Sequence, residues 1–361
     1  MHKKWTIVLL GLGAMLYLAC KPDPVETPAV YDPTPVSINL RDFPDPEFPA
    51  DNKPTIAGVQ LGRMLFYEKL LSKDGSQACA DCHHQANGFS DSLQYSIGVA
   101  KMQGHRQAMA IINIGWHKNG LFWDGRVPHV RDQALKPIQD PLEMNETLDN
   151  AVAKIAAEKK YRDQFVRAFG SDVVTAEKIG LAIEQFEFTM VSNNSKYDQY
   201  KRGTATLTES EARGLQLFFT EFDPTGVKKG AECFHCHNTF NFSNDDYMNN
   251  GLDADADQHD AGRMAVTGDM ADKAKFKVTT LRNIAQTAPY MHDGRFKTLE
   301  AVIDHYNTGV KPSETIDFIL QYNLQPGGLN LSAQDKTDLI AFLKTLTDHE
   351  FLANTAFKSP F

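Results

Sequence analysis

Cys79-Ala80-Asp81-Cys82-His83 and Cys233-Phe234-His235-Cys236-His237 are two copies of one pattern, Cys-x-x-Cys-His. That spacing is the covalent attachment site of c-type haem. The two cysteines join the porphyrin vinyl groups as thioethers, and the next residue places an imidazole on the proximal side of the iron. Each copy therefore predicts one haem c, with His83 and His237 as proximal ligands. A zinc ribbon would set its cysteine pairs about 15 to 20 residues apart. Cys82 and Cys233 are far more distant, and both pairs carry the histidine.

Four of the five cysteines are used in this way, which leaves Cys20. His2-Lys3-Lys4 is a basic start, and the apolar run from Trp5 to Ala19 is short for a bilayer span, so residues 1–20 read as an export signal. Leu18-Ala19-Cys20 resembles the end of a lipobox, although Tyr17 stands where leucine is usual. The expectation is a periplasmic lipoprotein, lipidated at Cys20 and held to the membrane by that anchor alone. A plain signal peptide or an uncleaved anchor would change only the tether. Nine of the 17 prolines fall between Pro22 and Pro54, so residues 21–53 read as an extended, partly disordered linker. A formal net charge of −9 argues against nucleic acid as a partner.

The chain also repeats itself. Gly62-Arg-Met-Leu-Phe66 precedes the first motif and Gly214-Leu-Gln-Leu-Phe218 the second, each reading as an amphipathic helix. Downstream, Phe122-Trp123-Asp124-Gly125-Arg126 matches Met291-His292-Asp293-Gly294-Arg295, which makes Trp123 and His292 counterparts. After the second of these turns Thr298 is an N-cap candidate, and Leu299, Val302, Ile303 and Tyr306 share one helical face. In the first copy Val130, Gln133, Ala134 and Pro137 take the same places. Pro137 lies eleven residues after Arg126 and Tyr306 eleven after Arg295, so the two are equivalent. A tyrosine can offer iron a phenolate, and a proline offers nothing. Two readings stand at this point. Either one haem is closed by Tyr306 and the other open, or Tyr306 is a core aromatic and Pro137 ends a helix.

The strings LGRMLFYEKLLSKDGSQACADCH, GLFWDGR, QALKPIQDPLEM, FKVTTLRN and APYMHDGRF resemble the bacterial di-haem cytochrome c peroxidases and their relative MauG, which matures methylamine dehydrogenase. The resemblance runs from about Pro54 to about Leu346. It implies a mainly α fold of two cytochrome c-like haem domains related by internal duplication, here residues 54–200 and 201–350, followed by a tail at 351–361. It further implies peroxide chemistry at the N-terminal haem and electron entry at the C-terminal one. Trp123 would relay electrons between them, and Gln133, Pro137 and Glu143 would line the peroxide pocket. Tyr306 would be the distal ligand of the C-terminal haem, as in MauG, where ordinary peroxidases have methionine; Met291 is the competitor. Many members carry a blocking histidine about sixteen residues after the first haem-binding one, but that position here is Val99, and the nearby His105 aligns with a loop crossing between the domains. The family also holds a calcium ion between the haems, for which Gln107, Thr287 and Pro289 are the corresponding residues, with Gln107 replacing an asparagine.

Heterolysis of a peroxide O–O bond needs a proton moved from the inner to the outer oxygen, and a carboxyl group in a low-dielectric pocket can carry it. Glu143 is the residue placed for that work, although taken alone it would read as a surface glutamate. Asp253, Asp255, Asp257 and Asp260 resemble a calcium loop only superficially, since Gln258 and Met264 stand where glycine and glutamate are required, and they read as a solvated loop. Three functions follow as expectations. The first is reduction of hydrogen peroxide to water with electrons from a small cytochrome c or cupredoxin. The second is MauG-like oxidation of a partner protein, and the third is plain electron transfer. Pro137 and Glu143 disfavour the third, and Tyr306 favours the second over the first. No residue pattern encodes whether the chain pairs as a homodimer.

Overall fold

The computed structural model describes residues 28–225 and 227–361. The export signal and Cys20 lie outside the described residues. Twelve α-helices occur among the latter: α1 (Ile56–Phe66), α2 (Val130–Gln133), α3 (Lys136–Gln139), α4 (Leu148–Ala157), α5 (Lys159–Phe169), α6 (Ala176–Glu187), α7 (Lys196–Lys201), α8 (Glu209–Phe218), α9 (Met264–Thr267), α10 (Leu299–Asp304), α11 (Ala333–Lys344) and α12 (His349–Ala353). A two-residue antiparallel ribbon pairs β1 (Tyr247–Met248) with β2 (Phe276–Lys277). Helix is less abundant than a mainly α fold suggests, because both haem-motif segments and both Asp-Gly-Arg turns are built from short 3₁₀ turns and loops.

Each half is organised around one crossed helix pair. Thr55 caps α1 by accepting from the Gly58 N–H, and Leu61 and Leu65, one turn apart, are buried against Ile179, Ile183 and Phe186 of α6. In the second half α8 and α11 each begin with a capping box, Thr208 with Glu211 and Ser332 with Asp335. Leu217 and Phe218 pack on Leu339, Phe342 and Leu343. The two crossings are closed at equivalent glycines. A Cβ at Gly62 would lie 1.9 Å from the Ala182 carbonyl oxygen and 2.8 Å from Phe186 Cβ; at Gly214 it would lie 1.9 Å from the Asp338 carbonyl oxygen and 2.8 Å from Phe342 Cβ. The helices touch backbone to backbone in the same register in both halves.

Two segments expected to be peripheral are instead part of the body. Residues 28–53 are extended, as the prolines dictate, but docked. Asn52 donates to Glu184 at 2.7 Å, Phe48 packs on Phe188, and Phe43 sits between Trp116 and Phe240, with Arg282 over its ring. Aromatic anchors spaced between the prolines, which proline counting overlooks, tie this belt to both halves. Likewise the stretch after Leu346 returns to the first half: Phe351 and Phe357 enter its core, and Tyr67 donates to the Phe357 carbonyl at 2.7 Å.

Candidate haem and distal-pocket site

Both motifs fold as a 3₁₀ turn over the cysteines followed by a tight loop. His83 Nδ1 lies 2.8 Å from the Phe89 carbonyl, and His237 Nδ1 lies 2.9 Å from the Phe242 carbonyl. Burial holds both imidazoles below their usual basicity, and the carbonyl at each Nδ1 places the ring proton there. A proximal iron ligand needs that arrangement, since the second-nitrogen hydrogen bond fixes ring and tautomer. Phe89 and Phe242 both adopt positive φ, 58° and 51°, which turns their carbonyls back onto the histidines. Cys79, Cys82, Cys233 and Cys236 are free thiols, and burial pushes the Cys82 thiol up to about 11 and those of Cys233 and Cys236 to about 12. They are neutral, half-buried sulfurs paired with an oriented imidazole, and the donor set fits one covalent haem in each half.

On the first half the local path around the expected pocket residues differs from the one expected. The helix expected through Val130, Gln133, Ala134 and Pro137 breaks: α2 stops at Gln133, and Pro137 opens α3 in its first turn, where its missing N–H costs nothing. The chain then folds back, with the Met144 N–H on the Pro137 carbonyl at 3.1 Å and the Glu143 N–H on the Asp140 carbonyl at 3.0 Å. This puts Pro137 and Glu143 on one compact turn, with Gln133 at the end of the preceding helix. Burial, reinforced by the negative charge of Asp140 and opposed by Arg126, pushes the Glu143 carboxyl up to about 7. Its charge is felt at both Cys79 and Cys82, so it faces the motif. Val99 lies against the same turn, its N–H on the Glu143 carbonyl at 2.8 Å, whereas His105 is exposed to solvent. Sequence reasoning missed Glu187, a buried carboxyl on α6 that also acts on Cys79 and is pushed up to about 8 by burial and by Glu184.

On the second half α10 is capped by Thr298, as expected, and buries Leu299 and Ile303. It then widens into a π-helical turn, His305–Gly309, that carries Tyr306; such turns recur at functional sites. Tyr306 lies near Cys233 and Cys236, and burial pushes its hydroxyl up to about 12, against the Asn250 hydrogen bond. Met291 is in the same pocket. The Asn250 side-chain N–H₂ lies 3.2 Å from Met291 Sδ and 3.4 Å from the Tyr306 hydroxyl oxygen.

Trp123 lies at the seam between the halves. Its indole N–H donates to the Gln107 carbonyl at 2.8 Å, its own carbonyl accepts from the Lys277 N–H at 2.8 Å, and its ring meets that of His292 edge-on, centroids 6.5 Å apart. The two residues counted as counterparts therefore touch. Gln107 is buried, donating its backbone N–H to the His292 carbonyl and its side-chain amide to the Asp91 carbonyl. No hydrogen bond reaches the Thr287 or Pro289 carbonyl among the described residues. The acidic loop is not merely solvated: Asp260 takes a bidentate contact from Arg106, whose other nitrogen reaches Asp124 at 2.6 Å, and Asp253 is paired with Arg295. The Arg106–Asp260 pair pins the loop across the seam, and the Arg295–Asp253 pair fixes it within the second half. Among the described residues one cluster of metal-type side chains, Glu221, Glu232 and His235, adjoins the second motif, of which His235 is a part, with His235 3.0 Å from Glu221 and Glu232 accepting from the Phe222 N–H.

Comparison with known proteins gives a consistent result. The family described as di-haem cytochrome c peroxidase matches residues 56–206. Cytochrome c551 peroxidase of Nitrosomonas europaea is 37% identical over 292 residues, covering 80% of this chain and 79% of that protein. The methylamine utilization protein MauG of Methylorubrum extorquens is 33% identical over 347 residues, 95% of this chain and 93% of that one. Among solved structures, a MauG-like protein associated with microbial copper homeostasis superposes with a TM-score of 0.80 at 36% identity, covering 89% of this chain and 97% of that one. No helix among the described residues is long and apolar enough to cross a membrane.

Proposed function

Because this chain belongs to the di-haem cytochrome c peroxidase and MauG family, we propose that it reduces hydrogen peroxide to water, taking electrons from a small redox protein in the periplasm. The overall change consumes one peroxide, two electrons and two protons and yields two waters. The observation that carries the reading is the buried Glu143 carboxyl, whose charge reaches Cys79 and Cys82 of the first motif, on a turn that folds back onto Pro137. The haems, held by Cys79, Cys82 and His83 and by Cys233, Cys236 and His237, supply the redox chemistry. Pro137 and Val99 offer no ligand atom on the distal side of the first site, which leaves it open to a small molecule. With its carboxyl near 7, Glu143 exchanges a proton close to neutral pH and can carry one between the two peroxide oxygens. Gln133 supplies an amide to orient the substrate. Trp123, bonded to both halves and in ring contact with His292, relays electrons from the second half to the first. Gln107 has its N–H₂ anchored on Asp91, and its amide oxygen and the carbonyls of Thr287 and Pro289 are hard oxygen donors of the kind that would suit calcium. The matched glycines, histidine locks and Asp-Gly-Arg turns support descent of the two halves from one duplicated unit.

Mixing the resting protein with peroxide tests the reading. A spectral change is expected without prior reduction, and Glu143→Gln should slow it by about 100-fold or more. A resting protein that responds only after one-electron reduction would refute an open first site.

A second reading, oxidation of a partner protein as named for the MauG relative, is favoured by Tyr306. A phenolate is a hard anionic ligand that favours higher oxidation states. Tyr306→Met should raise the potential of the second haem, and an unchanged potential would remove the support for this alternative.

A further inference from the structure

The second distal pocket holds two side chains able to bind iron, Tyr306 and Met291, and one amide that touches both. We infer that Asn250 selects the ligand: its N–H₂ group occupies the Met291 sulfur while donating to the Tyr306 oxygen, so that tyrosine and not methionine faces the iron. This inference rests on the reading of Tyr306 as a ligand.

The geometry is specific. A primary amide has two N–H donors on one nitrogen, and here both have acceptors, at 3.2 Å and 3.4 Å. The backbone around the amide is fixed from several sides. His305, the neighbour of Tyr306 on the π-helical turn, is buried and holds its Nε2 3.0 Å from the Asn250 carbonyl oxygen, which can only accept, so Nε2–H donates. The Lys311 N–H donates to the Gly251 carbonyl at 2.7 Å, and buried Asn249 accepts from the Gly251 N–H while donating to Ser313 and Thr315. The turn carrying Tyr306 and the loop carrying Asn250 are therefore stitched together on both sides of the contact. These bonds fix the Asn250 backbone, and its side chain is held by the contacts to Met291 and Tyr306.

The two hydrogen bonds act in the same direction. A donor on the tyrosine oxygen stabilises its anionic form and holds the ring in place. A donor on the thioether engages the lone pair that sulfur would need for iron. Thioether sulfur is a weak acceptor, so the restraint on Met291 is modest and can be reversed by one substitution. Soft sulfur competes best for the more electron-rich ferrous iron, and the ligand choice should become visible on reduction.

Asn250→Leu removes both donors at similar volume, and Asn250→Asp removes them at the same size if the leucine variant fails to load haem. With two haems confirmed by denatured mass, the reduced variant should show the sulfur-ligation signature in its absorption and near-infrared spectra. Its sulfur-ligated fraction should be roughly tenfold or more above that of the parent, and the potential of the second haem should be higher. Met291→Leu added to Asn250→Leu should abolish the signature. If Asn250→Leu leaves spectrum and potential unchanged while Tyr306→Phe alters them, Tyr306 is the ligand and the selection role is wrong. If the signature survives Met291→Leu, the proposed exchange is also wrong. If Tyr306→Phe changes nothing, the tyrosine reading fails and this inference with it.

Discussion

The carboxyl of Glu143, pushed up to about 7, makes a quantitative prediction for the peroxide reaction. To take a proton from peroxide the group must first be ionised. At a pKa of about 7 its ionised fraction is roughly one tenth at pH 6 and nine tenths at pH 8. The second-order rate with peroxide should therefore rise nearly tenfold across that interval and level off above it. Burial is the main cause of the shift, Asp140 adds to it and Arg126 opposes it. Asp140→Asn removes the repulsive charge while keeping an acceptor for the Leu142 N–H, now 2.8 Å from Asp140 Oδ1. The rising limb should move to lower pH, and the rate at pH 6 should increase. Glu187, at about 8, also acts on Cys79, but Asp140 is not among the charges that shift it. Stopped-flow mixing of resting protein with peroxide from pH 5 to pH 9 reads the limb directly. A limb that stays in place in Asp140→Asn, or survives Glu143→Gln, would assign the titration to another group and refute the proton-carrying role.

Other outcomes follow from the frame that holds the site. Gly214→Ala would put a methyl group against the Asp338 carbonyl, a backbone atom that cannot rotate away, and should destabilise the second half by about 1–3 kcal/mol despite the better helix propensity of alanine; chemical denaturation checks it. Arg282, 2% exposed and bidentate to Asp198, joins α7 to the chain after the second motif. Arg282→Met leaves that carboxylate buried without its main partner and should cost about 3–5 kcal/mol, read in the same assay. Stripping calcium with a chelator should slow electron transfer between the halves by loosening the Gln107–Trp123 contact, with recovery on adding calcium back; an unaffected rate in a protein shown by elemental analysis to have lost the ion argues against that site.

Local rules made much of this molecule legible in the chain. The Cys-x-x-Cys-His spacing singled out His83 and His237, whose Nδ1 atoms prove to be locked on backbone carbonyls, and Thr298 caps the helix expected of it. The break between α2 and α3 was hidden, because Val130, Gln133, Ala134 and Pro137 keep helical spacing while the proline begins a new helix. Contacts between distant positions carry no periodic signal. Arg106 meets Asp260 across 154 residues, and Asn250 meets Tyr306 across 56. Both depend on how the halves and their loops dock, which no window of sequence contains. The acidic loop was misread for that reason. The docked belt and tail did leave a trace, since Phe43, Phe48, Phe351 and Phe357 are large apolar side chains in segments otherwise rich in proline and polar residues.

Low-temperature electron paramagnetic resonance of the resting, fully oxidised protein tests the central asymmetry most directly. An open first site beside Pro137 and Val99, with a second site closed by Tyr306, predicts one high-spin and one low-spin ferric haem in equal amounts. Two low-spin signals would mean that a protein ligand closes the first site, and two high-spin signals that Tyr306 does not bind.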